Sequence, residues 1–444
     1  MIMTVFAILA ARLVSSVLRL FNKGATTLPG RVALYFKYDI LTRLSQGVHI
    51  ICVTGTNGKT TTCAMIENAL TSSGYSAFLN KSGANMLTGV TTAFLQNSSV
   101  FGKCRKDFAV LECDENSLPA ISRYIDADVF AVTNIFRDQL DRYGEVSHTL
   151  DVIKKSVLNM PETHLVINAD CPLTYSLSLL ENGFTTFGVD ADFDLIDVSE
   201  ARYCPVCSSE LRYTTRVFSH LGRFTCDKCG FCRIEPDFAA QEVTVNGESG
   251  SSFVLSQKGK KTPQSISLSG IYNVYNYLCA TAVLSFATSG KVSVSGSFSG
   301  AFGRQETFTD GERKVLLLLV KNPVGMSSCA AYTASLKDFD CTVLALNDNA
   351  ADGRDVSWIW DCDFDPLCSM QTEFYTFGTR ASDMTLRLKY SDIAVQNTLD
   401  SEDMASLMQI INNYENTVIL ANYTAMMKIR KTLRKHFGGK EFWQ

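Results

Sequence analysis

The chain has 444 residues, of which 46% are apolar and 19% charged, with 41 Lys+Arg against 45 Asp+Glu. That length exceeds what a single compact core serves, so two or three domains are expected, and the composition excludes a fibrous or disordered chain. A net charge of −4 argues against a nucleic-acid binder, which would carry a broad basic face.

The N-terminal stretch "MIMTVFAILAARLVSSVLRLF" is apolar but carries Arg12 and Arg19 on one side of a helix. No basic region precedes the apolar run and no small-residue cleavage site follows, so a secretory signal is not expected. An amphipathic helix fits better than a span of about 20 apolar residues. It either packs on the body of the protein or makes a peripheral membrane contact. Residues 1–48 form a helical leader that closes with "TTLPG" and "RVALYFKYDILTRLSQ". Most of the fifteen cysteines stand alone in apolar surroundings, as do Cys52, Cys63, Cys113, Cys279 and Cys341. That usage suits a reducing cytoplasm, where Cys packs as a small hydrophobe.

From "VHIICV" onward, short apolar runs alternate with helical patterns. "FAVLEC" (108–113), "ADVFAVTNI" (127–135) and "HLVINAD" (164–170) read as buried strands of parallel βαβ units. A segment rich in Cys, Arg, Thr and aromatics interrupts the pattern at 201–236. Residues 237–269 alternate with period two and predict an antiparallel patch. A helix, "IYNVYNYLCATAVLSFAT", follows, and "VSGSFSGAFGRQETFTDGERK" reads as a Gly- and Ser-rich hinge. "KVLLLLVK", "CTVLALND", "EFYTFG" and "NTVILAN" then predict a second α/β domain. The expected division is a leader (1–48), a central domain (49–309) and a C-terminal domain (310–444). The basic cluster at Lys428, Arg430, Lys431, Arg434 and Lys435 reads as the solvated face of the last helix.

The stretch "VTGTNGKTTT" (53–62) lies where a phosphate loop belongs, between a strand and a helix. Gly55 and Gly58 let the backbone approach an anion, and the N–H groups of the helix start favour negative charge. Lys59 can reach the β and γ phosphates, and the Thr60 hydroxyl can bind magnesium. The first glycine of the usual pattern is replaced by Val53, which predicts a variant loop geometry.

"CPVC" (204–207) and "CDKCGFC" (226–232) give two Cys-x2-Cys pairs with zinc-ribbon spacing. Cys204, Cys207, Cys226 and Cys229 are the expected ligands, with Cys232 able to replace Cys229. Four thiolates close the shell around zinc, so the metal is structural. Such binding is worth roughly 10–16 kcal/mol in small peptides, enough to fold an insert with little core. His220 reads as a loop residue. A redox dithiol is the rival reading of the two pairs.

"GTNGKTTT" resembles the ATP loop of the Mur ligases and the related folylpolyglutamate synthases, ATP-dependent amide-forming enzymes of three-domain architecture. The resemblance implies that Thr56, Asn57, Gly58, Lys59, Thr60 and Thr61 cradle the phosphates of ATP. "LECDENS" (111–117) is similar to the family's strand-end glutamate, which implies that Glu112 binds magnesium. "TNIFRDQLDRYG" (133–144) resembles a signature that places Asn134 near the adenine. "LDVIKKSV" matches the spacing of a carbamylated lysine, here Lys154. "GIYNVYN" (270–276) resembles the adenine-contacting segment, through Asn273 and Asn276, and "FGRQE" (302–306) the hinge arginine, Arg304. Together these motifs cover about 50–310 in the family's order.

The departures are informative. A family histidine is Gln139 here, and only Asn322 and Pro323 remain of a family strand, in "LLVKNP" (318–323). The sugar-gripping N-terminal domain has no room in the leader. With the zinc insert, these departures resemble the synthetase half of amidating complexes within the family. That resemblance implies a GatD-type glutaminase as partner and lipid II as acceptor, with zinc, ATP and magnesium bound and no nucleic acid. It also implies that "DGRDVSWIWD" completes the partner's Cys–His pair, through Asp355 or, failing that, Asp352. A carboxylate there would fix the histidine tautomer. The expected reaction is ATP-dependent amidation of the D-glutamate α-carboxyl of lipid II to D-isoglutamine through an acyl phosphate. It would run in the cytoplasm, at the inner face of the membrane. The alternatives are a Mur or folylpolyglutamate-type ligase joining an amino acid to a carboxylate, and a zinc-stabilised ATP-binding scaffold.

Overall fold

A computed structural model describes residues 2–21, 26–80, 84–137, 146–191, 201–298, 305–311, 313–336 and 338–438. The apolar runs after residue 48 become the parallel strands β1 (His49–Thr54), β2 (Ala77–Leu79), β3 (Phe108–Glu112), β4 (Val129–Val132), β5 (His164–Asn168) and β6 (Phe184–Val189). Ile51, Cys52 and Val53 are buried, as a strand covered on both faces requires. Strands β7 (Arg212–Phe218) and β8 (Leu221–Thr225) stand apart as a hairpin. Strands β9 (Phe238–Val245), β10 (Ser251–Gln257) and β11 (Lys260–Ile266) complete the first sheet, in the order β11-β10-β9-β6-β5-β4-β1-β3-β2.

β1 lies between β3 and β4, with Val53 opposite Glu112 and Ala131. The chain leaves β1 toward one edge and later returns to its other side. The C-terminal end of β1 is therefore a topological switch point, where open α/β sheets bind ligands. The period-two patch extends this sheet and does not form one of its own. Phe238, Ala239 and Ala240 of β9 are buried and pair in parallel with β6, while the later residues alternate against β10.

A second sheet holds β12 (Gln305–Thr309), β13 (Lys314–Leu319), β14 (Cys341–Ala345), β15 (Glu373–Phe377), β16 (Val395–Leu399) and β17 (Asn416–Ala421), in the order β12-β13-β17-β14-β15-β16. Only β12 runs antiparallel to its neighbour. "QETFT", read from sequence as hinge, is β12, whose Phe308 is buried in the second core.

The leader forms the helices Ile2–Leu20, Leu28–Phe36 and Ile40–Leu44, which pack against the helix Leu87–Asn97. Gly30 permits this approach: a Cβ there would lie 1.9 Å from the Thr88 carbonyl oxygen. The Gly30 N–H donates to Thr92 Oγ1 at 2.9 Å.

Candidate active site

β1 ends in the turn Gly55–Gly58, and Lys59 opens the helix Lys59–Ser72. The turn is held from several sides. Thr133 Oγ1 donates to the Asn57 carbonyl at 2.7 Å, and the Asn57 N–H donates to Asn134 Oδ1 at 2.9 Å. Asn134 thus braces the phosphate loop, a role the sequence did not suggest for it. Thr56 is buried and donates to the Phe136 carbonyl at 3.1 Å. Gly58 caps the helix with φ +87°, in the left-handed region that glycine occupies without strain.

Lys59 is buried. Its ammonium donates to the Gly55 carbonyl and, at 2.9 Å, to the buried Glu115 carboxylate. Burial works against that charge, but Glu115, Glu112 and Asp114 outweigh it and hold the ammonium above its ordinary value. Burial pushes Glu115 upward, opposed by Lys59 and Lys321. Thr60 Oγ1 donates to Glu112 Oε2 at 2.9 Å. Asn80 fixes the Glu112 backbone from both directions, at 2.8 and 2.9 Å. A hydroxyl and a carboxylate oxygen side by side at the helix start suit a hard divalent cation.

The helix Ile271–Ala287 closes one wall with Asn273 and Asn276, both buried. Asn276 Nδ2 donates to Asn273 Oδ1 at 3.2 Å. The C-terminal domain supplies the opposite wall. Lys321 Nζ donates to the Thr56 carbonyl at 3.0 Å, and Asn322 Nδ2 to Asn57 Oδ1 at 3.1 Å. Between these walls is a cavity of about 410 Å³, lined by Asn57, Gly58, Thr60, Thr61, Asn134, Asn273, Asn276, Leu318 and Leu319, among others. Phe218 and Leu221, from the ends of β7 and β8, also face it.

The cysteine insert carries that hairpin. The sulfurs of Cys204, Cys207, Cys226 and Cys229 all lie within 4.8 Å of one another. Cys204 and Cys229 are 3.7 Å apart, and Cys207 and Cys226 3.5 Å. Four thiolates around one zinc, each at about 2.3 Å, would be about 3.8 Å apart, so the set fits a tetrahedral ion. Cys232 is exposed and is not in the cluster, which leaves Cys229 as the fourth member. His220 is buried and meets Cys171 Sγ at 3.4 Å instead. Arg233, just past the cluster, donates to the buried Asp170 at 2.7 Å, and Asp170 also accepts from the Tyr275 hydroxyl at 2.7 Å.

The acidic loop after β14 separates its two candidates. Asp355 is exposed, and its Oδ1 accepts the Ser357 N–H at 2.8 Å; the bonds from Ser357 hold its carboxyl below the usual range. Asp352 is buried and accepts the Thr424 N–H at 2.8 Å together with the Thr424 hydroxyl. Burial pushes Asp352 up. Asp352 thus fastens the loop to the helix Tyr423–Phe437, whereas Asp355 faces outward.

The structure thus brings together Thr56, Asn57, Gly58, Lys59, Thr60, Thr61, Glu112, Asn134, Asn273 and Asn276. Lys154 sits half-buried on the helix Val146–Leu158; among the described hydrogen bonds and ion pairs, none joins it to Glu112 or Thr60. Arg304 and Gln139 lie outside the described residues. Sequence reasoning missed Glu115 and Lys321. Glu115 stands three residues after Glu112 in "LECDENS", and Lys321 directly precedes Asn322 in "LLVKNP". Both were inside quoted motifs, but only the fold shows that they meet the phosphate loop.

Comparison with known proteins agrees with this architecture. Residues 53–225 match the Mur ligase middle domain, and residues 319–426 match the MurT ligase C-terminal domain. The lipid II isoglutaminyl synthase (glutamine-hydrolyzing) subunit MurT of Streptococcus pneumoniae is 36% identical over 97% of both chains. Its counterpart in Staphylococcus aureus is 32% identical over 98% of both. Among solved structures, a pseudomurein peptide ligase type C from Methanothermus fervidus superposes with a TM-score of 0.67 at 21% identity, over 88% of this chain and 79% of that one. The last likeness concerns the fold alone, but identity sustained along nearly the whole of both chains settles descent: the protein belongs to the MurT family of Mur ligases.

Proposed function

We propose that the protein is the synthetase subunit of a lipid II isoglutaminyl synthase. It amidates the α-carboxyl of D-glutamate in lipid II to D-isoglutamine, using ATP and ammonia. The observation that carries this reading is the buried Lys59 ammonium beside the Thr60–Glu112 pair, on the floor of a cleft walled by both domains.

A carboxylate does not react with ammonia directly, because oxide is too poor a leaving group. One acceptor oxygen attacks the γ-phosphorus of ATP and ADP departs, leaving an acyl phosphate. Ammonia then attacks the carbonyl carbon and loses a proton, and phosphate leaves with the original acceptor oxygen. Lys59 and Lys321 supply positive charge where the phosphoryl group moves. For Lys59 this means exchanging Glu115 for phosphate, so Glu115 keeps the ammonium charged and placed until the nucleotide arrives. Thr60 and Glu112 are the residues that would hold magnesium, which neutralises phosphate oxygens when bound. Lys154 and Arg304 are assigned to the same centre by family resemblance.

The four-cysteine cluster is assigned to structural zinc, with no coordination position left for chemistry. The partner is a GatD-type glutaminase, and Asp355 is proposed to complete its catalytic triad across the interface. Its exposure suits that role, as burial and the bonds from Thr424 suit Asp352 to a structural one. The cytoplasmic side of the membrane is the proposed location, in keeping with a lipid-linked acceptor and scattered thiols.

The test uses the two-subunit complex with lipid II labelled with heavy oxygen in the D-glutamate carboxyl. One labelled oxygen should appear in the released phosphate per amide formed, and Lys59→Ala should abolish both. Amide formation without label transfer would reject the acyl phosphate.

A further inference from the structure

The helix Ile2–Leu20 is amphipathic in an unusual sense. Its inward face is small: Thr4, Ala7, Ile8 and Ala11 are buried against the body. Gly102 lies against this face, where a Cβ would stand in ordinary contact with Thr4 and Ile8 at 3.4 and 3.5 Å. Arg12 donates to the Ser98 carbonyl, which ties the helix down along its length. The large apolar side chains point the other way. Ile2 is 85% exposed, Phe6 51%, Leu9 50%, Leu13 66% and Leu20 82%. At 100° per residue these form one continuous stripe. Phe36 sits edge-on to Phe6 at 4.9 Å and beside the exposed Tyr35, which widens the stripe with aromatic rings.

The charges of this region are one-sided. Residues 1–48 contain Arg12, Arg19, Lys23, Arg31, Lys37 and Arg43 against one acid, Asp39, which pairs with Lys37 at 2.6 Å, in a chain whose net charge is −4. Arg12 and Arg19 fall on the same flank of the helix, beside the apolar stripe. Large apolar residues outward, cations at the border and aromatics alongside are the features of a helix lying in a membrane interface. A protein partner of ordinary mixed charge accounts for the apolar stripe but not for the scarcity of acidic residues beside it. A membrane span would require the helix to leave the body against which its small face is packed.

We propose that the outward face of Ile2–Leu20 docks the protein on an anionic lipid surface, with the helix in the plane of the head groups. This goes beyond the amidation reading and does not depend on it, because the test contains no acceptor substrate. Full-length protein is sedimented with vesicles of equal parts phosphatidylglycerol and phosphatidylcholine, and with phosphatidylcholine alone. Binding is expected to the first and to weaken with salt. The double variant Phe6→Ser, Leu13→Ser should lose roughly a hundredfold in affinity, and Arg19→Glu about tenfold. Both sites are exposed and Phe6 gives up only its edge-on contact with Phe36, so the unfolding temperature should fall by only a few degrees. If the double variant proves unstable, Ile2→Ser with Leu20→Ser carries the same expectation. Equal binding by wild type and variant overturns the proposal, as does failure to bind anionic vesicles. A wild-type dimer in sedimentation velocity that the variant dissociates, without vesicle binding, would assign the face to a second copy and also overturn it.

Discussion

Gly58→Ala tests how closely the helix Ile271–Ala287 and the turn Gly55–Gly58 are fitted. Gly58 has φ +87°, where a side chain costs about 1–2 kcal/mol. The new Cβ would also lie 2.1 Å from Asn276 Oδ1 and 3.1 Å from its Cγ. Asn276 is buried and cannot swing into solvent. Its eviction breaks its contact with Asn273 at 3.2 Å and the long one from Thr62 at 3.5 Å. At about 1 kcal/mol for the better bond and less for the longer, the total is about 3 kcal/mol. For a domain of this size that lowers Tm by about 6–12 °C. Calorimetry reads the stability, and the KM for ATP reads the displaced wall. Asn276→Ala removes the clash, leaving no atom of residue 276 within 3.6 Å of the new methyl group. The double variant should therefore be more stable than the sum of the two singles by about 1–2 kcal/mol. Strict additivity, or a Gly58→Ala protein with unchanged Tm and KM, would refute the reasoning.

Other outcomes follow from the same geometry. Asp355→Asn should leave ammonium-driven amidation intact while glutamine-driven amidation falls by about 10⁴, the loss that removing a triad carboxylate causes. Asp352→Asn should instead lower Tm and reduce both reactions together; steady-state kinetics with each nitrogen source distinguishes the two. Lys321→Met should lower kcat about 10²-fold with either nitrogen source, as for loss of one transition-state donor, with a smaller change in the KM for ATP. Chelation should release one zinc per chain, read with a metallochromic dye, and lower Tm; Cys207→Ser should prevent loading. His164 stacks on Phe286 at 3.7 Å, and burial, opposed by Asp237, lowers its pKa. Its folded value lies below the unfolded one of about 6.5. The stability it contributes is therefore present above that pH and lost as pH falls through the folded value. His164→Phe should remove this part of the Tm decline below neutrality.

How much was legible from sequence depended on which residues carry a local signal. β1, β3, β4, β5, β13, β14, β15 and β17 are mainly apolar and almost wholly buried, because both faces of each sheet are covered. β16 went unread, since "VQNTL" is a half-exposed edge with only Leu399 buried. β12 was hidden by the glycines and serines before it. At the site, Gly58, Lys59 and Thr60 were legible as a phosphate-loop pattern between strand and helix, and Glu112 through family resemblance alone. Glu115 and Lys321 were not, since each acts through a partner distant in sequence: Glu115 pairs with Lys59, and Lys321 reaches Thr56 from the other domain. The four-cysteine cluster was readable from spacing alone, but its connection to the cleft through Phe218 and Leu221 was not. The different settings of Asp352, buried, and Asp355, exposed, were not legible, because an acidic loop does not advertise burial.

Asp170 gives the cysteine insert a place in the fold that its four clustered sulfurs do not explain. This one buried carboxylate is gripped by Arg233 from the insert and by Tyr275 from the helix that carries Asn273 and Asn276. Pruning the insert back to its neighbouring strands would take away the guanidinium and leave the carboxylate buried beneath the helix Ile271–Ala287, held by Tyr275 and the Val189 N–H, a loss of up to about 3–5 kcal/mol for a buried pair deprived of one member. The insert is therefore not a detachable ornament on the central domain: a chain that discarded it would also have to replace Asp170.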